Sequence, residues 1–116
     1  MSVRDSWDHQ RCKEHLTGYF QDHYFEPIDE PSAGNGYIDI HIKKESGDLR
    51  PALFIEITTA GDAQTTDMDK ILDICWEKFT ERKYTEEDKH GLFIAFAWDR
   101  RFCKIGIRRY GDFLTE

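Results

Sequence analysis

Two segments in the first half of the chain alternate between apolar and polar residues. In residues 37–43 every second residue is isoleucine, and in residues 52–58 leucine and isoleucine alternate with phenylalanine, glutamate and threonine. A two-residue period is typical of a β-strand that turns one face to the core. Because the turn-forming residues 45–48 lie between the two segments, the pattern predicts a β-hairpin.

A hairpin centred on Gly47 and Asp48 also predicts which residues face each other. A slip of one residue would move the isoleucines to the polar face, so the alternation helps to fix the register. The predicted pairs are Asp39 with Glu56, His41 with Phe54, and Tyr37 with Thr58.

The other segments predict two helices and three further strands. Residues 5–24 repeat a face at three- and four-residue steps, and so do residues 68–79, where Thr65 or Thr66 is the expected cap and Lys83 lies near the helix end. Residues 91–98 are almost continuously apolar, as in a strand covered on both faces. Residues 102–109 alternate, and residues 25–30 are predicted as a bent edge strand.

This order of elements predicts the fold class. A helix, a short strand, two strands, a second helix and two final strands indicate an α/β (α+β) domain. Its central mixed β-sheet would have four to five strands flanked by helices. The 116 residues are predicted to form a single domain, 1–116, and the aromatic content of 14% argues against a disordered chain.

Charge is distributed unevenly along the chain. The net charge is −7, which excludes a basic footprint over the whole protein, yet residues 91–116 hold five basic and three acidic residues. This local excess predicts a patch that contacts the phosphates of a nucleic acid; a solvated strand end is the alternative. The candidate residues are Arg100, Arg101, Lys104 and Arg108.

Several site types and locations are disfavoured by the sequence. Cys12, Cys75 and Cys103 are odd in number and widely spaced, so we expect three buried thiols rather than disulfides or a zinc site. His9 and His23 lie on the apolar face of the first predicted helix, and we expect them to pack rather than bind metal. Without a membrane-spanning apolar run or a secretory signal at residues 1–10, a cytoplasmic location is expected.

Asp39 and Glu56 are the candidate chemical pair. Each interrupts an apolar strand, and in the predicted register their Cβ atoms lie about 5 Å apart. Two carboxylates at that separation repel unless one is protonated or a cation lies between them. Mg²⁺ prefers such oxygen ligands, and the carbonyl of Ile57 would suit as a third. The alternative is an ordinary wet strand face, which His41 and Lys43 fit equally well.

The order of elements and these two acids resemble the PD-(D/E)xK nuclease superfamily, which has the restriction-endonuclease-like fold. The resemblance rests on residues 36–39, on Glu56 in residues 54–58, and on the helix that follows. It implies that Asp39 and Glu56 hold the metal and that Thr58 occupies the position of the family's catalytic lysine. Gln64 resembles a polar residue that several subfamilies place before this helix, although a loop or capping role is the alternative.

The departures from that family matter as much as the matches. Threonine at position 58 carries no charge, and isoleucine at position 38 replaces the usual proline. A lysine would therefore have to come from elsewhere, and Lys43, Lys70 and Lys104 are the candidates. Otherwise the site has lost its activity while the fold remains.

Three functions follow from these readings. The first is a nuclease that hydrolyses DNA or RNA with Mg²⁺ or Mn²⁺, of a kind found in phage or defence systems. The second is a non-catalytic acidic module that keeps the nuclease-like fold and binds a nucleic acid or a protein, for example as an inhibitor. The third is a plain α+β interaction domain. The aromatic content is compatible with a homodimer, and a membrane partner is not expected.

Overall fold

The computed structural model describes residues 8–23, 27–29, 32–33, 36–44, 50–100 and 102–113. A mixed five-stranded sheet lies between α1 on one face and α3 on the other. The elements are α1 (His9–Asp22), β1 (Pro27–Asp29), β2 (Ser32–Ala33), β3 (Gly36–Tyr37), β4 (Ile40–Ile42), β5 (Leu53–Thr59), α2 (Ala60–Ala63), α3 (Met68–Thr80), a 3₁₀ helix (Asp88–His90), β6 (Leu92–Asp99), β7 (Phe102–Arg109) and α4 (Tyr110–Phe113).

The sheet has the order β1-β4-β5-β6-β7. Strands β1, β4 and β5 are antiparallel neighbours, α3 forms the crossover to the parallel strand β6, and β7 returns antiparallel at the far edge. The predicted α+β class, the mixed sheet and its strand number are confirmed, and so is the edge position of the short first strand. In the described residues, no helix is long and apolar enough to cross a membrane.

The predicted hairpin register is confirmed where β4 and β5 pair. His41 lies opposite Phe54, and their rings stack with centroids 4.4 Å apart. The predicted pairing of Tyr37 with Thr58 is wrong, because Tyr37 pairs with Ser32 in a separate two-stranded ribbon. The predicted turn, residues 45–48, lies outside the described residues.

The strand predicted over residues 37–43 is interrupted by a bend at Asp39. The bend changes the side to which the chain turns its isoleucines. Ile38 packs in the cluster beneath α3, whereas Ile40 and Ile42 pack in the cluster beneath α1. The single isoleucine face predicted from the alternation is therefore wrong, and Asp39 lies where the chain crosses from one layer to the other.

Helix α3 follows its predicted apolar stripe, but its ends differ from the prediction. Asp67 rather than Thr65 or Thr66 is the N-cap, and its carboxylate accepts from the N–H groups of Asp69 and Lys70. The helix ends at Thr80, before Lys83. The predicted loop after β5 contains α2, which Thr59 caps through its hydroxyl at 3.2 Å from the Asp62 N–H.

Candidate active site

Asp39 is held by a side chain of α1 and by a main-chain group of β5. Nε2 of His9, at the start of α1, lies 2.9 Å from one carboxylate oxygen, and the Ile57 N–H donates to the other at 2.8 Å. Burial alone would raise the pKa of Asp39, but the hydrogen bonds from His9 and Ile57 outweigh it, so the pKa lies below its usual value. Asp39 is therefore the ionised member of the site.

Glu56 is the buried member of the pair. Its side chain is 2% exposed, and its Oε1 accepts a hydrogen bond from Nη2 of Arg82 at 2.5 Å. Burial, followed by the negative charge of Asp39, raises the pKa of Glu56 to about 8, against the opposing effect of Arg82 and Lys78. The Asp39 and Glu56 side chains also lie within hydrogen-bonding range of each other, so a protonated Glu56 can donate a hydrogen bond to the Asp39 carboxylate.

One row of α3 places two basic side chains over these acids. Cys75 packs against β5, where its thiol donates to the Thr58 hydroxyl at 3.2 Å. One turn later, Lys78 Nζ donates to the main-chain carbonyl of Ile57 at 3.2 Å, and Arg82 follows just after the helix ends. Since residues three and four apart share a helix face, the row 75–78–82 points at Glu56 and Ile57.

The residue at the position of the motif lysine is not part of this polar cluster. Thr58 is fully buried, and its hydroxyl is bonded to Cys75, so it belongs to the packing between β5 and α3. Gln64 is exposed and adopts a left-handed conformation, with φ of 57°, at the end of α2. That placement gives Gln64 the structural role of a helix C-cap.

Two residues of the predicted nucleic-acid patch, Lys104 and Arg108, lie on the other side of α3 from the two acids. Lys104 is exposed and forms an ion pair with Asp69, and the guanidinium of Arg108 lies 4.4 Å from the ring centroid of Trp76. Arg100 is exposed in the turn between β6 and β7, and Arg101 lies outside the described residues. The structure thus does not bring Lys104 or Arg108 to Asp39 and Glu56.

Two further predictions about single residues are wrong. Cys12 and Cys75 are buried, but Cys103 is exposed, because β7 is an edge strand whose outer face carries no helix among the described residues. His23 is exposed and stacks loosely on Tyr19 instead of packing in the core. His9 is half-buried, and it joins the site through Asp39.

Lys78 and Arg82 are the functional candidates that sequence reasoning missed. The lysines considered as replacements do not approach the acids: Lys43 and Lys70 are exposed, and Lys104 is paired with Asp69. The signal for Lys78 and Arg82 was present in their spacing from Cys75, an apolar residue of the α3 stripe. Their spacing shows which helix face they share, but it does not show which strand that face covers.

The donor atoms of this site fit a hard divalent cation. Asp39 and Glu56 offer carboxylate oxygens and Ile57 offers a carbonyl oxygen, which are the ligands that Mg²⁺ accepts alongside several waters. Among the described residues, no group of three or more histidine, cysteine or acidic side chains is arranged to hold a metal ion. A cation would therefore depend on the two acids, and it would compete with the partners that these acids already have.

Comparison of the chain with protein-family models, with curated proteins and with solved structures finds no match in any of the three. The interpretation of the site therefore depends on its own geometry.

Proposed function

We propose that this chain is a metal-dependent nuclease, which hydrolyses phosphodiester bonds of DNA or RNA. The observation that carries the proposal is the buried contact between Asp39 and Glu56, beside a lysine that α3 delivers to the Ile57 carbonyl. The sheet has three antiparallel strands, and a crossover helix then leads to a parallel strand. This order of elements supports the restriction-endonuclease-like fold, because the resemblance of the sequence to that family rests on the same order.

Each residue has a definite task in this proposal. Asp39, Glu56 and the Ile57 carbonyl would hold Mg²⁺ or Mn²⁺, and the bound ion would supply a Lewis acid and an acidified water. Lys78 would replace the missing motif lysine, because its ammonium contacts the carbonyl of Ile57, which lies between Glu56 and Thr58 in β5. There it can hold the attacking water by hydrogen bonds and stabilise negative charge on the phosphate.

The test is a cleavage assay on plasmid, single-stranded DNA and RNA, with Mg²⁺, with Mn²⁺ and with EDTA. We expect cleavage that requires metal, that is abolished by Asp39→Asn and by Glu56→Gln, and that falls at least about 100-fold in Lys78→Gln. Lys70→Gln is the matched control, because Lys70 is an exposed lysine of the same helix. Equal loss in Lys70→Gln and Lys78→Gln would contradict the role of Lys78.

A non-catalytic binding module is the second candidate, and one observation favours it. Both acids already have a basic partner from the chain itself, His9 for Asp39 and Arg82 for Glu56. A site retired from catalysis could be sealed in this way. In that case Mg²⁺ and Mn²⁺ would leave the melting temperature unchanged, whereas cation binding to the native state would raise it.

A further inference from the structure

Arg82 is a buried cation whose hydrogen-bonding capacity is mostly unused. Its side chain is only 10% exposed, and Nη2 donates to Glu56. Its Nε and Nη1 atoms are buried, and neither has a hydrogen-bond partner among the described residues. Leaving a buried donor unsatisfied costs the free energy of its desolvation, and this cost is larger for a charged group. Such a group in a native structure calls for an explanation.

The charges around Arg82 indicate what kind of partner is missing. Lys78, in the last turn of α3, and Arg82, just after the helix, both approach the acids. A divalent cation bound by Asp39 and Glu56 would by itself balance both carboxylates. It would then leave Lys78 and Arg82 without a counter-charge, and an anion at the same place would restore the balance.

We propose that Arg82 is a phosphate-binding residue whose guanidinium transfers from Glu56 to a phosphate group when a divalent cation takes up the carboxylates. The proposal rests on the proposed function, because it assumes the cation site at Asp39 and Glu56. A guanidinium suits this ligand, since several of its N–H groups can bond phosphate oxygens at once. Arg82 follows the last turn of α3, so its side chain can turn without moving a strand.

This transfer makes the binding of cation and phosphate mutually dependent. Mg²⁺ would free Arg82 from Glu56, and phosphate would remove the competitor of Mg²⁺ for that carboxylate. Linkage requires both effects to be equal in size. We expect Mg²⁺ to tighten the binding of inorganic phosphate at least about tenfold, which is a typical coupling between two sites.

The experiment titrates inorganic phosphate into the full chain by calorimetry, with and without Mg²⁺, after titration of Mg²⁺ alone. Arg82→Gln should bind Mg²⁺ as tightly as the wild type or more tightly, and should lose the coupling. Lys83→Gln is the control, because Lys83 is the exposed neighbour of Arg82. Coupling that persists in Arg82→Gln, or that is lost equally in Lys83→Gln, would overturn the proposal.

A second readout uses the wild-type protein and guards against misfolding of the variant. The ¹H–¹⁵N signal of Arg82 Nε should shift when Mg²⁺ and phosphate are added together, as this donor gains a partner. No shift under saturating ligands would overturn the transfer. Mg²⁺ binding without coupling refutes this proposal alone, whereas failure to bind Mg²⁺ refutes the proposed function as well.

A final arm identifies the source of the phosphate. Thymidine dinucleotide provides a phosphodiester, and inorganic phosphate provides a free anion. Tighter Arg82-dependent binding of the dinucleotide would assign the site to a nucleic-acid backbone. Tighter binding of inorganic phosphate would assign it to terminal or free phosphate groups, and both results support Arg82 as the phosphate-binding residue.

Discussion

Two rows of side chains along α3 differ in their contacts: one row is apolar and packs in the core, and the other is polar and lies over the two acids. In the apolar row, Phe79 is fully buried, and its ring packs edge-to-face against Phe93 with centroids 5.2 Å apart. Trp76, in the same row, lies against β7. In the polar row, Lys78 and Arg82 reach over two carboxyl groups, and two donor atoms of Arg82 have no partner in the described part of the chain.

This contrast shows which row stabilises the fold. Aromatic contacts and buried apolar area account for the apolar row without reference to any ligand. Buried ion pairs contribute little net stability, because desolvation offsets the attraction between the charges. The polar row is therefore better explained by binding than by folding, and variants of the two rows should behave differently.

The largest effect is expected from Phe79→Ala. Truncation of a fully buried phenylalanine removes its packing and leaves a cavity, which costs about 3–5 kcal/mol of unfolding free energy. Urea unfolding measures this loss. Phe102→Ala is the control, because Phe102 is 65% exposed and its truncation should change stability by less than about 0.5 kcal/mol. A loss below about 1 kcal/mol in Phe79→Ala would break the comparison.

A smaller loss is expected from Gly106→Ala. A Cβ atom at this position of β7 would lie 2.8 Å from Cζ2 of Trp76, so the indole ring must shift. Overpacking of this kind costs about 1–3 kcal/mol.

Gly18→Ala is the matched control for Gly106→Ala. Gly18 lies inside α1, and apart from the helix backbone and the adjacent residues a Cβ atom added there would meet no atom within 4 Å. The same substitution should therefore stabilise the protein by about 0.5–1 kcal/mol. Thermal or urea unfolding of both variants decides the matter. Equal effects would mean that Trp76 does not pack tightly against β7.

Much of the fold was accessible from residue patterns because these patterns are local. The alternation of β5 and the apolar run of β6 depend on which faces are buried, and both strands formed as predicted. The bend at Asp39 was missed, because the isoleucines continue their alternation through it. At the bend, the Asp39 carboxylate accepts a long-range hydrogen bond from the Ile57 N–H, which local spacing does not encode.

The candidate site was accessible only in part. Asp39 and Glu56 stood out because acids are rare in apolar strands, and the hairpin register brought them together. Lys78 lies in the last turn of α3 and Arg82 follows it, and the packing of Cys75 and Phe79 sets how this helix is rotated on the sheet. Thr58 was given a chemical role by its position in a motif, yet the thiol of Cys75 draws its hydroxyl into the core.

The smallest change in stability is expected from Glu56→Gln, which tests whether Glu56 is protonated in the folded protein. In the folded protein the pKa of Glu56 is raised from 4.5 to about 8 by burial and by Asp39, so the native state holds a proton that the unfolded chain releases. The contribution of Glu56 to the free energy of unfolding is fully present below pH 4.5, and it is lost as the pH rises through about 8. Near pH 6 the carboxyl is neutral, so glutamine in its place should change stability by less than about 1 kcal/mol.

The distinguishing measurement is urea unfolding at about pH 5 and about pH 8.5, on either side of the raised pKa. The wild type should lose stability between these two values, and Glu56→Gln should lose less. A residual decline is expected in the variant, because the hydrogen bond to Asp39 raises the pKa of His9, which also favours the protonated native state. Glu77→Gln changes an exposed acid of α3 and should keep the wild-type slope. If Glu56→Gln keeps that slope as well, then Arg82 holds Glu56 ionised at neutral pH, and the pair is a plain buried salt bridge.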